Sequence, residues 1–184
     1  MSAATPSTDP SADLARRLAS LLRIGKVAAV NHGEARVRVT TGGLETDWLP
    51  WATLRAGNIR HWSPPSVGEQ VIVLAPSGEM EQAVVMTGLF QNASAAPESS
   101  GDVQADHYPD GAIIRYNHAS GHLEATGVKT ATLQASGSIT VDCPDVVFTG
   151  NVDVQGNMSS HGIVLNTHIH GGVASGGSVT AGPQ

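Results

Sequence analysis

The sequence predicts an all-β chain in two parts: a small N-terminal barrel and a C-terminal shaft that needs further copies of itself. Three observations carry this reading. Charged residues make up 14% of the 184, and 21 residues are Gly, a composition unlike that of a helical enzyme. Short apolar runs between 24 and 90 are separated by turn signals. Beyond Asp110-Gly111, apolar residues recur with a period of two in a stretch with almost no charge.

Residues 1–23 read as a tail and one short helix. Asp9-Pro10 supplies an acceptor at the N-cap and a proline at the first helical position. Leu14, Leu18, Leu21 and Leu22 fall on one face, and Gly25 is the expected stop. The plain expectation is that this face packs on the neighbouring strands; docking to a partner is the alternative.

Residues 24–91 read as a barrel. Ile24 to Val30 is apolar, and valines alternate with arginines in Arg36-Val37-Arg38-Val39. Thr46 to Trp51 is expected as a third strand, followed by Val71 to Leu74 and Ala83 to Met86. Five short strands with hairpin turns fit a Greek-key barrel of the OB type, with 56–68 as cross-connection. Trp48, Trp51 and Trp62, with Arg36, Arg38, Arg55 and Arg60, could form a groove for single-stranded nucleic acid. A net charge of -6 favours the other reading, that the tryptophans fill a core or a subunit contact.

Residues 92–109 read as a linker or neck, and 110–165 as the shaft. Leu133, Ile139, Val141 and Cys143 share one parity. After Pro144-Asp145 the phase changes, and Val146, Phe148, Val152, Val154 and Met158 take the other. Strands this short and one-sided cannot bury a core alone. Three chains wound into an intertwined β-helix or β-prism would put the apolar faces inside and remove open sheet edges. A single-chain β-helix is the alternative. Cys143, the single cysteine, excludes an internal disulfide and reads as a small core residue. No apolar run is long enough to span a bilayer, and no secretory signal is visible.

Residues 166–184 read as an apex. In Thr167-His168-Ile169-His170-Gly171-Gly172, an extended backbone places His168 and His170 on one face. On a threefold axis the pair becomes six imidazoles, an octahedral nitrogen site with no open position. That favours iron in a structural role, with nickel the runner-up and four-coordinate zinc behind it. The alternative is a solvated histidine pair in a Gly-rich tail. Histidines 32, 61, 107, 118, 122 and 161 read as surface residues. No nucleophile elbow, P-loop or paired-carboxylate arrangement is present, so no catalytic residue is assigned.

Several stretches together resemble the baseplate assembly protein V family, the central spike of contractile phage tails and related injection particles. Thr46 to Trp51, Pro64 to Val71, Ser77-Gly78-Glu79 and Val85 to Phe90 are similar to that family's OB domain. Asp110-Gly111 and Thr167 to Gly172 are similar to its spike domain. The resemblance implies a homotrimer with an OB collar, a triple-stranded β-helix and an apex where His168 and His170 of three chains hold one iron. It implies a non-enzymatic protein at the tip of the tail baseplate of a virion or tail-like particle, assembled in the host cytoplasm. The implied partners are the tail hub and tube, and the implied target is the bacterial outer membrane, breached on sheath contraction. Neither nucleic acid nor a small-molecule substrate is expected. The runner-up is a trimeric receptor-binding or polysaccharide-degrading tail fibre; a nucleic-acid-binding OB protein and a metalloenzyme rank below it.

Overall fold

A computed structural model describes residues 9–169 and Gly176. The chain divides into two units, Met1–Thr130 and Ala131–Gln184.

The first unit opens with helix α1, Pro10–Ser20. The Asp9 carboxylate accepts from the Ser11 amide at 3.0 Å and the Ser11 hydroxyl at 2.7 Å, closing the N-terminus. These bonds hold the Asp9 carboxyl below its ordinary value, the hydroxyl acting most strongly. Asp13 is lowered in the same direction by Arg16 and then Arg17. Both carboxylates therefore support the helix above the usual carboxylate range, and that support is lost as pH falls through their depressed values.

The helix stops at Leu21, earlier than Gly25, because the chain turns there into a strand. Its contact with the barrel also differs from expectation. Leu14 and Leu18 are 58% and 59% exposed. The helix docks instead through its backbone: a Cβ at Gly78 would lie 2.5 Å from the Cα and carbonyl oxygen of Arg17. Arg17 pairs with Glu79 at 3.1 Å, and Ser20 is buried.

Strands β1 (Leu22–Asn31), β2 (Arg36–Thr41), β3 (Leu44–Glu45), β4 (Leu49–Pro50), β5 (Gln70–Leu74) and β6 (Val84–Leu89) form one antiparallel sheet. The order is β3-β2-β1-β5-β6, with β4 also on β2. Trp51 bridges to Val85, and the Ala52 amide donates to the Val85 carbonyl at 2.8 Å, which brings the ends together as a barrel. Two 3-10 turns, Pro76–Gly78 and Met80–Gln82, link β5 to β6.

The core is mostly valine. Val37, Val39, Val71, Val73 and Val85 are fully buried, joined by Val27, Leu49, Ala75 and Ala83. Alternation on β2 sends its valines inward and its arginines outward. Gly25, predicted as a helix stop, lies inside β1 opposite Val71. A Cβ there would sit 2.4 Å from Val39 Cγ1 and 2.8 Å from the Thr40 carbonyl oxygen. The glycine lets two strands cross closely at the barrel corner.

The strand predicted over Thr46–Trp51 is interrupted. The buried Thr46 hydroxyl accepts from the Val39 amide at 3.0 Å and donates to the Asp47 carbonyl at 2.8 Å. A side chain thus takes the place of a ladder bond, and β3 and β4 remain separate two-residue strands.

Still in the first unit, β7 (Val103–His107), β8 (Ile113–Asn117) and β9 (His122–Thr126) form a three-stranded meander. β7 lies in the stretch read from sequence as neck. Glu98 lies 3.1 Å from His107 Nε2 and 3.4 Å from an Arg115 nitrogen, and Arg115 also pairs with Glu124.

The second unit contains one described ladder, β10 (Ser159–Ser160) with β11 (Ile163–Val164). Its two-residue turn, His161-Gly162, has φ of 49° and 82°, the primed geometry that suits a tight hairpin. Between 128 and 157 the described residues contain no strand and no backbone–backbone hydrogen bond.

Gly25→Ala should lower stability by about 1–3 kcal/mol through overpacking. Gly57→Ala, where an added Cβ meets nothing within 4 Å, should change it by about 0.5 kcal/mol at most. Denaturant titration followed by tryptophan fluorescence reads both, since all three tryptophans lie in the barrel region. Equal midpoints for the two variants would contradict the close crossing.

Candidate functional site

Beyond Thr130 the only side chains with a formal charge are Asp142, Asp145 and Asp153. The apolar residues of both parities face solvent in the single chain. Leu133 is 76% exposed, Val141 67% and Phe148 69%. Cys143 is exposed too, its thiol donating to the Asp145 carbonyl at 3.2 Å. The expected core is therefore not one that a single chain makes.

At the far end the β10–β11 hairpin is extended by two more contacts. The Leu165 amide donates to the Met158 carbonyl at 2.8 Å, and the Asn166 side-chain amide donates to Asn157 Oδ1 at 3.0 Å. The chain then turns, and the Thr167 and His168 amides both donate to the Val164 carbonyl, at 3.2 and 3.0 Å. His168 thus follows a turn rather than lying on an extended strand. Val164 supplies one acceptor for two successive amides, and this closes the turn.

The His168 ring folds back so that Nδ1 lies 2.8 Å from the Leu165 carbonyl oxygen. A carbonyl can only accept, so Nδ1 carries the proton in this contact, and in the neutral ring the lone pair then belongs to Nε2. That is the tautomer a metal-binding imidazole uses when a backbone carbonyl orients it. His168 fits a metal in its donor chemistry. His170 lies outside the described residues, so the geometry of the predicted pair does too. No group of three or more His, Cys, Asp or Glu forms a metal cluster within the chain among the described residues. The role of Leu165 comes from its main chain and left no side-chain signal in the sequence.

Of the other histidines, His107 and His122 lie beside Glu98 and Glu124, and His118 beside Asp102. His61 Nδ1 lies 3.4 Å from the Thr53 hydroxyl. In the barrel, Arg38 stacks over Trp48 at 5.9 Å, Trp51 packs against the core, and Trp62 is 59% exposed.

Two family models match. Residues 23–90 match the Type VI secretion system/phage-baseplate injector OB domain, and residues 127–182 match the phage spike trimer. The spike protein of Escherichia phage P2 is 38% identical, over 89% of this chain and 93% of its own length. The chain belongs to the phage baseplate spike family. The baseplate puncturing device gp45 of Escherichia phage Mu is 26% identical, over 93% of this chain and 92% of its own.

Membership explains the second unit. The residues from 128 to 157, which lack an internal ladder, fall within the region matched as a spike trimer, so the shaft is formed by three chains. This baseplate spike is a homotrimeric structural component of the phage tail, and not an enzyme. The fibre reading is not favoured beside relatives that are a spike and a puncturing device.

An aspartate on the apolar parity should block assembly. Val141→Asp is expected to yield monomers with an intact barrel, whereas Thr140→Asp, on the opposite parity, should remain trimeric. Sedimentation velocity separates the outcomes, and a trimeric Val141→Asp would contradict the inward placement of that parity.

Proposed function

We propose that this spike is the piercing tip of a contractile tail, driven through the outer membrane of a Gram-negative host when the sheath contracts. The observation that supports this best is the shaft itself: a long, nearly uncharged segment without a ladder of its own from 128 to 157, matched as a spike trimer. The name of the Mu relative, a baseplate puncturing device, points the same way. The OB barrels would join the spike to the tail hub and tube, and assembly would take place in the host cytoplasm before tails are released.

At the apex, His168 and His170 of three chains would hold one iron ion. The support is the His168 ring, whose Nδ1 contact with the Leu165 carbonyl leaves the lone pair on Nε2. Iron would supply a cross-link between the three chains. The chain's own part is to fix the His168 imidazole orientation through the turn at Val164 and the Leu165 carbonyl.

Elemental mass spectrometry of untagged protein should find about one iron per three chains, as six imidazoles around one ion require. His168→Ala with His170→Ala should abolish the metal yet leave a folded trimer. Tail particles carrying that variant should contract normally but expose periplasmic β-lactamase to an external chromogenic substrate more slowly. One zinc per chain, or no metal, would remove the apex reading. Unchanged permeabilisation by particles whose spike lacks 131–184 would remove the piercing role.

A further inference from the structure

The barrel carries a cleft that the piercing role does not use. It has a volume of about 400 Å³, with Trp51, Trp62 and Pro50 among its apolar lining and Arg36, Arg55 and Arg60 at its edge. Trp51 and Trp62 pack at 5.6 Å with their planes inclined by 53°.

The loop that forms one wall is held in shape. Ala56 and Arg60 form an antiparallel bridge, the His61 amide donates to the Arg55 carbonyl at 2.9 Å, and the Thr53 hydroxyl donates to the His61 carbonyl at 2.9 Å. These bonds bring Arg55 and Arg60 to the same opening. Leu54 and Ile59, 81% and 63% exposed, extend the apolar surface on the same loop.

Three guanidinium groups cluster at this place. Arg16, Arg17, Arg38 and Arg115 each pair with a carboxylate. Of the cations without such a pair among the described residues, Arg36, Arg55 and Arg60 gather at this one cleft, whereas Arg23 and Lys26 stand on β1, although the chain carries a net charge of -6. Arg36 donates only to the Trp48 carbonyl, at 2.9 Å. Glu34, the one carboxylate at the cleft, accepts from the Asn31 side chain at 3.1 Å. Three guanidinium groups without carboxylate partners around an apolar floor call for a ligand that brings carboxylates and an apolar side chain together.

We propose that this cleft docks an extended acidic segment, carrying an apolar residue, from a neighbouring baseplate protein. The apolar residue lies on Trp62, and its flanking carboxylates meet Arg55 and Arg60. Single-stranded nucleic acid fits less well, because the two tryptophans tilt against each other and offer no parallel stacking platform. The proposal deepens the baseplate reading and rests on it for the identity of the neighbour.

The test titrates the full-length trimer with a fluorescein-labelled peptide, acetyl-Glu-Leu-Glu-Phe-Glu-amide. The Gln-for-Glu analogue and a short oligothymidylate serve as competitors. Saturable binding at one peptide per chain is expected, about tenfold tighter than the analogue. Arg55→Glu with Arg60→Glu should weaken it by about tenfold or more, and Trp62→Ala by several-fold, with the trimer intact. Arg23→Glu, on β1 away from the cleft, should leave it unchanged. Absence of saturable binding, tighter binding of oligothymidylate, or an equal loss in Arg23→Glu would each overturn the proposal. Incorporation of the wild-type spike into tail particles, measured separately, tests the baseplate role and is independent of the peptide result.

Discussion

Backbone hydrogen bonding governs how this chain is built. Buried amides and carbonyls must be paired, and leaving them unpaired costs as much as a lost hydrogen bond. The first unit meets this demand within one chain, through the barrel ladders and the β7–β9 meander. The second unit does not. From 128 to 157 its described residues make no backbone–backbone bond of their own, while its apolar side chains stay exposed. Both deficits have one remedy. Three copies wound together supply the missing ladder partners and bury the apolar parities in the same step, so the trimer is the folding unit of the shaft.

Close approach shapes the barrel in a comparable way. Valine is small, β-branched and stiff, so a valine core fills a narrow barrel without long side chains. Gly25 allows β1 and β2 to meet where any Cβ would collide, and Gly78 allows the helix backbone to rest on a turn. In both places the missing side chain is the structural device. Thr46 does the opposite, using its hydroxyl to replace a ladder bond and to split one strand into two.

Much of this was legible because period-two patterning reports burial directly. Val37 and Val39 sit inward with their arginines outward, as the alternation requires. The N-cap was legible because Asp-Pro has a local meaning that tertiary contacts rarely override. The failures share a cause. Gly25 looked like a helix stop and is a site of strand crossing; only the partner strand reveals the difference. Leu14, Leu18, Leu21 and Leu22 looked like one buried helical face, yet α1 ends before the last two, and Leu14 and Leu18 are open because the helix docks by backbone and by Arg17. At the apex, the His-X-His spacing drew attention to His168, but the turn on the Val164 carbonyl and the orienting role of Leu165 are main-chain features that no side-chain pattern encodes.

The distribution of charge divides the labour between the two units. All ten Lys and Arg residues lie before Thr130, and beyond it only three aspartates carry a formal charge. A shaft whose core forms between identical chains gains nothing from cations inside, where each would have to be desolvated on a threefold axis beside two copies of itself. Like charges repeated by symmetry cannot pair with one another, so neutrality is the stable solution for intertwined strands. The barrel faces no such restriction, and its arginines are free to mark surfaces. Arg16, Arg17, Arg38 and Arg115 are neutralised by nearby carboxylates; Arg23 on β1 is not, and neither are Arg36, Arg55 and Arg60, which gather around the tryptophan cleft. Symmetry thus disfavours cations in the shaft and leaves them to the first unit.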